Sequence, residues 1–234
     1  MNKDLKIGLI FADDTEYVPF KKRMDKYEIR DEKKRNNEGC VITVRKPDRT
    51  IEIHAVQSGI GKARAAAAAA FLIADDKVDF VMNLGFSGAV SQLRRGMIAC
   101  GVSYCEADFD LSPLGYPLGQ KDRNVPAVIE ANEKLVELVC QLDYIVKAKM
   151  GTGDFFLDDA KRKNEIFEAF GINSFDMESA AIADVCRNQD VPFVSIRKIS
   201  DDAADGATGD YCNMAYSDDA SLSATMCDFI EKVL

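Results

Sequence analysis

The sequence predicts an α/β fold, a central mixed twisted sheet flanked by helices. Three observations predict it. A nearly continuous apolar run at Leu5 to Phe11 reads as a strand covered on both faces, and Val78 to Leu84 and Pro192 to Ile199 read as further strands of the sheet. Helix-forming stretches alternate with them, among them an alanine run at Ala63 to Ala74, Asp158 to Phe170 and Ser179 to Cys186. That alternation places helices on both faces of a mainly parallel or mixed sheet. The chain has 234 residues, 47% of them apolar. A chain this long can bury roughly 70% of the surface its unfolded form exposes, so folding needs no disulfide or metal staple. No internal repeat or linker divides it, and the expectation is one domain over residues 1–234.

The elements follow in order. After the first strand, an apolar-to-acidic change comes at Ala12-Asp13-Asp14-Thr15-Glu16. Residues 21 to 39 are highly charged and read as a solvent-facing excursion with a strand edge near Tyr27 to Arg30. Val41 to Val44 and Thr50 to Val56 read as strands joined through a Pro47-Asp48 turn. Ser58-Gly59-Ile60-Gly61-Lys62 then precedes the alanine run. Strand, glycine-rich turn and helix expose backbone N–H groups at a helix N-terminus. The spacing fits neither standard phosphate loop, so the turn is either a ligand contact or close helix packing. The strand from Val78 ends at Leu84, with Gly85-Phe86-Ser87-Gly88 as a turn, and Met97 to Tyr104 is another strand. Residues 108 to 127, with Pro113, Pro117, Pro126, Gly115 and Gly119, form a long irregular loop of a kind often tied to function. Val128 to Leu142 reads as an amphipathic helix, Ile145 to Gly151 as a strand, residues 202 to 210 as a mobile acidic loop, and Ser217 to Val233 as the last helix.

Composition narrows the function. With 39 acidic and 30 basic residues the formal net charge is −9, and the longest basic run is Lys33-Lys34-Arg35. Nucleic acid is therefore disfavoured as a main partner. The polar opening MNKDLKIGLI lacks a signal-peptide core, and the alanine run carries Arg64 and stops at Asp75-Asp76, short of the ~20 residues of a membrane span. Seven scattered cysteines without a Cys-x-x-Cys pair read as reduced thiols, giving the expectation of a cytoplasmic protein without a membrane partner. A single histidine, His54, excludes a multi-histidine metal site, and neither metal nor cofactor is expected. His54 reads as a packed or surface residue, Lys62 as the partner of an acid, and Cys100, Cys186 and Cys227 as small buried hydrophobes. Proton transfer falls to carboxylates.

Glu16, the Asp176/Glu178 pair and Asp201 stand just beyond apolar strands or at helix starts. Sites in open α/β sheets form outside the carboxyl ends of strands. Each acid also has the plainer reading of a helix cap. Met177, set between two carboxylates before a small-residue helix, indicates that this acidic pair borders a buried wall, where charge is costly unless paired or used.

In these residues the chain resembles the nucleoside phosphorylase superfamily, and within it the 5′-methylthioadenosine/S-adenosylhomocysteine nucleosidases. The matching pieces run in order: Lys6-Ile7-Gly8 with Glu16, Ser58-Gly59-Ile60-Gly61-Lys62, Asn83-x-Gly-x-Ser-Gly, Gly115-Tyr116 with Gly119-Gln120, Gly153-Asp154-Phe155-Phe156, Asp176-Met177-Glu178 and Arg197-x-Ile-Ser-Asp201. The resemblance implies a three-layer phosphorylase-like fold and hydrolysis of the N-glycosidic bond of an adenine nucleoside. It implies Asp201 as general acid at adenine N7, Glu16 as the residue activating water, and Arg197 and Asp176 ordering that region. It implies Glu178 on the ribose hydroxyls, Met177 under the sugar, backbone near Phe155 at the base edge, Phe156 stacked on the base and Tyr211 in a flap above it. Ile60, in the glycine-rich turn, joins this substrate-binding set. Leu111 and Leu114 match positions closing an apolar 5′ pocket near a neighbouring subunit, which implies a homodimer; alternatively both are core residues.

The chain departs from the pattern around the sugar. Phe86 stands in place of a small hydroxyl residue, Asp13 in place of a methionine, Asp176 in place of a glutamate and Phe155 in place of a smaller residue. Asn83 stands where phosphorylases carry an arginine, and Asp13, Asp14 and Glu16 would repel a phosphate dianion, which favours water as nucleophile. The expectation is hydrolysis of an adenine nucleoside. The alternatives are a catalytically impaired nucleoside-binding homologue and a phosphate-dependent phosphorylase.

Overall fold

The computed structural model describes residues 4–217 and 220–234. In chain order the elements are β1 (Leu5–Phe11), α1 (Asp14–Arg23), β2 (Glu28–Lys34), β3 (Asn37–Arg45), β4 (Thr50–Gln57), α2 (Lys62–Phe71), β5 (Phe80–Ala89), β6 (Ile98–Glu106), β7 (Val128–Glu130), α3 (Glu133–Val139), β8 (Ile145–Thr152), α4 (Ala160–Phe170), β9 (Ser174–Asp176), α5 (Ser179–Asn188), β10 (Phe193–Asp201), α6 (Ala207–Ala215) and α7 (Ser221–Asp228). All ten strands join one mixed sheet, ordered β10-β6-β8-β9-β5-β1-β4-β3-β2 with β7 beside β6. β10 also pairs with β5, so β5, β10, β6, β8 and β9 close on themselves into a partial barrel. This is the expected α/β architecture with a mixed central sheet, curled at one end.

β5 is the strand that builds the site. It runs parallel to β1, with Ile7 opposite Phe80, and parallel to β10, with Gly85 opposite Arg197 and Gly88 opposite Asp201. Its last residues turn antiparallel to β9, with Gly88 opposite Phe175. A register shift between Ile199 and Asp201 re-aims the end of β10, as bulges near active sites commonly do. The helices pack by residue size. Ala65, Ala68 and Ala69 of α2 and Ala180 and Ala183 of α5 share one apolar cluster with Ile10 and Val81, and only small side chains let two helices lie this close over a strand. Asp13 caps α1, its carboxylate accepting the Thr15 N–H at 2.9 Å, and Asp159 caps α4 through Arg162 N–H at 2.6 Å.

Three expectations need correction. Gly85 to Gly88 is not a turn; β5 continues through Ala89 because β10 and β9 pair with it there. Val128 to Glu130 is a strand, since the edge of β6 takes it up, and the helix begins only at Glu133 behind the Asn132 cap. Ser174–Asp176, for which the sequence predicts no element, is a short strand held between β8 and β5. The acidic stretch after Asp202 becomes helix α6 from Ala207. The charged excursion resolves into β2, a full edge strand against β3. The expected last helix includes residues 218–219 and the expected polar start includes residues 1–3; those positions lie outside the described residues.

Candidate active site

The C-terminal ends of β1, β5, β9 and β10 face one cleft of about 150 Å³. It collects Asp13, Glu16, Ile60, Phe86, Phe155, Phe156, Asp176, Met177, Glu178, Asp201 and Tyr211 from the candidate set, together with Ala12, Ser87, Gly88, Leu157, Phe175, Ser200 and Ala203. Arg197 is fully buried behind this wall. Leu111 and Leu114 lie outside it, and Leu114 is 66% exposed, so it is no core residue.

Glu16 lies on the first turn of α1 and is 6% exposed. One carboxylate oxygen accepts the Ala12 N–H at 2.7 Å and the other accepts the Phe86 N–H at 2.9 Å. Burial, with Asp13 and Glu178 nearby, outweighs the Arg197 guanidinium and pushes its pKa up to about 8. A carboxylate of that basicity is well matched to taking a proton from water near neutral pH. Glu178, 3% exposed, accepts the Gly61 N–H at 3.1 Å and both Arg197 Nη groups at 3.4 Å. Burial raises its pKa and Arg197 draws it back.

Asp201 ends β10. Its Oδ2 accepts the Ser200 hydroxyl at 2.7 Å and its Oδ1 accepts the Ala203 N–H at 2.8 Å. Burial raises its pKa despite those two hydrogen bonds, in the direction a general acid requires. Two glycines make room for these groups. A Cβ on Gly85 would stand 2.5 Å from Arg197 Nη1 and 2.6 Å from Glu16 Oε1; one on Gly88 would stand 2.7 Å from Asp201 Oδ1. The spacing Gly-x-x-Gly in β5 thus leaves space for the base-side and sugar-side acids on one strand.

Asp176 is turned into the fold. Its Oδ1 accepts the Thr152 hydroxyl at 2.7 Å and the N–H groups of Glu178 and Ser179 at 3.0 Å; its Oδ2 accepts the Ser179 hydroxyl and lies 3.2 Å from Arg197 Nε. It therefore holds the start of α5 and the backbone of Glu178. Arg197 donates further to Ser195 Oγ at 3.1 Å, to Phe86 O at 3.2 Å and to Asn83 Oδ1. Asn83 in turn donates to Ile10 O at 3.0 Å. Thr152, Ser179 and Ser195 escaped the sequence reading; hydroxyl residues inside apolar strands and at a helix start were the available signal.

Aromatic side chains form the other wall. Tyr211 of α6 meets the Phe86 ring edge-on at 6.0 Å and the Phe156 ring at 5.6 Å, and its hydroxyl donates to Asp13 Oδ2 at 3.3 Å. Phe155 packs between Phe175, at 4.9 Å, and the Arg162 guanidinium, at 3.3 Å from the ring centre. Phe86 contributes its backbone to the polar network, an N–H to Glu16 and a carbonyl to Arg197, and its ring to the wall. The glycine-rich turn also meets the cleft, through Ile60, and gives its Gly61 N–H to Glu178. Elsewhere, His54 is buried beside Lys34 and Asp76, and Lys62 is paired with Glu106 and Asp108. Cys100, Cys186 and Cys227 are buried.

The chain belongs to the phosphorylase superfamily: the model of that family matches residues 6–234. Within it, the 5′-methylthioadenosine/S-adenosylhomocysteine nucleosidase of Bacillus subtilis (strain 168) is 37% identical over 158 residues, 64% of this chain and 68% of that protein. Among solved structures, the 5′-methylthioadenosine/S-adenosylhomocysteine nucleosidase of Helicobacter pylori matches with a TM-score of 0.89 at 21% identity, covering 99% of this chain and 100% of that one. A mutant futalosine hydrolase of Helicobacter pylori strain 26695 matches with a TM-score of 0.88 at 22% identity, covering 97% and 99%. At these identities the two structures speak for the fold.

Proposed function

We propose that the protein hydrolyses the N-glycosidic bond of adenine nucleosides of the methylthioadenosine and S-adenosylhomocysteine type, releasing adenine and the sugar. One observation carries the choice of water over phosphate: the cleft is lined by five carboxylates, and no lysine or arginine lines it among the described residues. Arg197 is fully buried and committed to Asn83, Ser179, Ser195 and the two acids of the Asp176/Glu178 pair. A phosphate dianion would meet no cation in this lining, whereas positive charge building on the ribose would meet stabilising carboxylates.

In this mechanism Asp201, whose pKa burial raises, donates to N7 as the bond to adenine breaks. Glu16, in the fraction that is ionised near its raised pKa, takes the proton of the attacking water, and its two N–H anchors hold its oxygens in place. Glu178 accepts the ribose hydroxyls, Met177 packs against the sugar and Phe156 against the base. Arg197 and Asp176 act as positioning residues for Glu178 and Phe86. Met177 and Ile60 supply the apolar surface between the polar groups. The activity for which the Bacillus subtilis relative is named supports the same reaction. The Phe86 side chain leaves the Glu16 anchor at that position in place, because the group Glu16 uses there is a backbone N–H.

We further place the protein in the cytoplasm as a homodimer. The described cysteines are free thiols, and no helix among the described residues is long and apolar enough to cross a membrane. Leu114 and Leu118 project 66% and 44% exposed from the long loop, apolar surface that a second copy would cover. The test of the activity is adenine release from methylthioadenosine by the purified protein and by Asp201→Asn. The variant should lose about 10²–10⁴ in kcat, the ordinary worth of general acid catalysis. Full activity in the variant would remove Asp201 from the mechanism.

A further inference from the structure

Three residues outside the cleft connect its two halves. Asp154 Oδ1 accepts the N–H of Lys62, the first residue of α2, at 2.8 Å. Lys62 Nζ reaches Asp108 Oδ1 at 2.7 Å. Asp108 Oδ2 accepts the N–H of Asp154 at 2.9 Å, which closes a ring. The three come from three segments: the glycine-rich turn, the start of the long loop after β6, and the loop after β8.

Each segment has a bearing on the cleft. The turn carries Ile60 into the lining and gives the Gly61 N–H to Glu178 at 3.1 Å. The loop after β8 continues directly from Asp154 into Phe155 and Phe156, the aromatic wall. α2 begins on Gly61, which has no side chain to cap it, so Asp154 supplies the cap from another segment. Gly61 has φ +101°, and a Cβ there would lie 3.0 Å from Asp154 Oδ1, so the turn and the aspartate are fitted together. Lys62 also donates to Glu106 at 2.9 Å, but Glu106 has a second cation in Lys121. Asp108 is the acid that depends on Lys62.

We propose that Lys62, Asp108 and Asp154 form a positioning clamp that sets the spacing between the sugar-facing turn and the base-facing wall, a role that rests on the nucleosidase reading above. None of the three lines the cleft. Glu16 and Asp201 hang on α1 and β10, outside the ring, so the clamp leaves the acid and the base in place. It aligns two binding surfaces that grip different ends of one molecule. A small misplacement between such surfaces costs on the order of 10–100-fold. A ligand that touches only one surface feels no such cost.

That contrast defines the experiment. Steady-state kinetics on methylthioadenosine and calorimetric binding of free adenine are measured for the wild-type protein, Asp154→Ala and Lys62→Met, with Asp154→Asn and Lys62→Arg as conservative partners. The clamp predicts that both disruptive variants raise KM about tenfold or more while the Kd for adenine stays within about twofold. The conservative variants, which retain an acceptor or a cation, should return KM to within about threefold of wild type. An unchanged KM in both disruptive variants overturns the proposal. So does adenine binding that weakens in parallel with KM, which marks general loosening. Where Asp154→Ala fails to fold, Lys62→Met carries the comparison alone. A wild-type protein that neither binds adenine nor turns over the nucleoside overturns the nucleosidase reading and the clamp with it, an outcome distinct from an active protein indifferent to the variants.

Discussion

Replacing Glu16 by glutamine probes the electrostatics of the cleft through folding stability. In the folded protein the carboxyl of Glu16 titrates near 8, against 4.5 for the ordinary side chain, chiefly because it is buried. Between those values the folded state holds a proton that the unfolded chain has released. Stability linked to Glu16 is therefore fully present below about pH 4.5 and is lost as pH rises through 8, by at most about 1.4 kcal/mol per pH unit. From about pH 5.5 to about pH 7.5, the wild-type protein should lose roughly 2–3 kcal/mol more than Glu16→Gln. Glu178 and Asp201 are also raised and act in the same direction, but both proteins contain them. The glutamine amide cannot accept both the Ala12 and Phe86 N–H groups, so the variant starts from a different absolute stability. That offset is independent of pH and drops out of the comparison. The assay is urea unfolding followed by circular dichroism at several pH values. Parallel stability curves for the two proteins would refute the argument that burial holds this carboxyl protonated.

Two further substitutions test the scaffold. Arg197→Met removes the cation between Asp176 and Glu178, both buried, and should destabilise the fold by about 3–5 kcal/mol, read as a lower urea midpoint; a shift below about 1 kcal/mol would contradict the buried-pair account. Gly88→Ala places a Cβ 2.7 Å from Asp201 Oδ1 and 2.9 Å from the Ala203 Cβ, so it should cost about 1–3 kcal/mol of stability and lower kcat by displacing the acid. Undiminished kcat in a folded Gly88→Ala protein would show that Asp201 has room to spare.

The strands of the central sheet were legible because apolar runs such as Leu5–Phe11 and Phe80–Leu84 are buried on both faces, and that pattern needs no partner to be seen. The carboxylates were legible because each stands where such a run ends. What escaped depends on pairing. Gly85 to Gly88 carries turn chemistry, yet its glycines serve close approach within a paired strand, and only β10 and β9 reveal that. β7 and β9 have three residues each, too few for a period to register. Helix α6 has a weak local signal in an acidic, glycine-bearing stretch, and contacts such as Arg95 to Asp210, at 2.7 Å, and Tyr211 to Asp13 come from distant segments. At the site, Arg197 and Asp176 were recognised as a pair beside the nucleophile, but the burial of Arg197 behind the lining, among Ser179 and Ser195, is a property of packing. Leu111 and Leu114, matched by the resemblance to positions closing an apolar 5′ pocket near a neighbouring subunit, stand apart from the cleft of this chain.

The central claim is that water attacks the sugar of an adenine nucleoside in a cleft whose charge rejects phosphate. The measurement that tests it most directly is the identity of the sugar product from methylthioadenosine, with and without inorganic phosphate. The account predicts free adenine and a free reducing sugar at the same rate in both conditions. A sugar 1-phosphate, a rate that depends on phosphate, or a protein that binds the nucleoside without cleaving it would contradict the account.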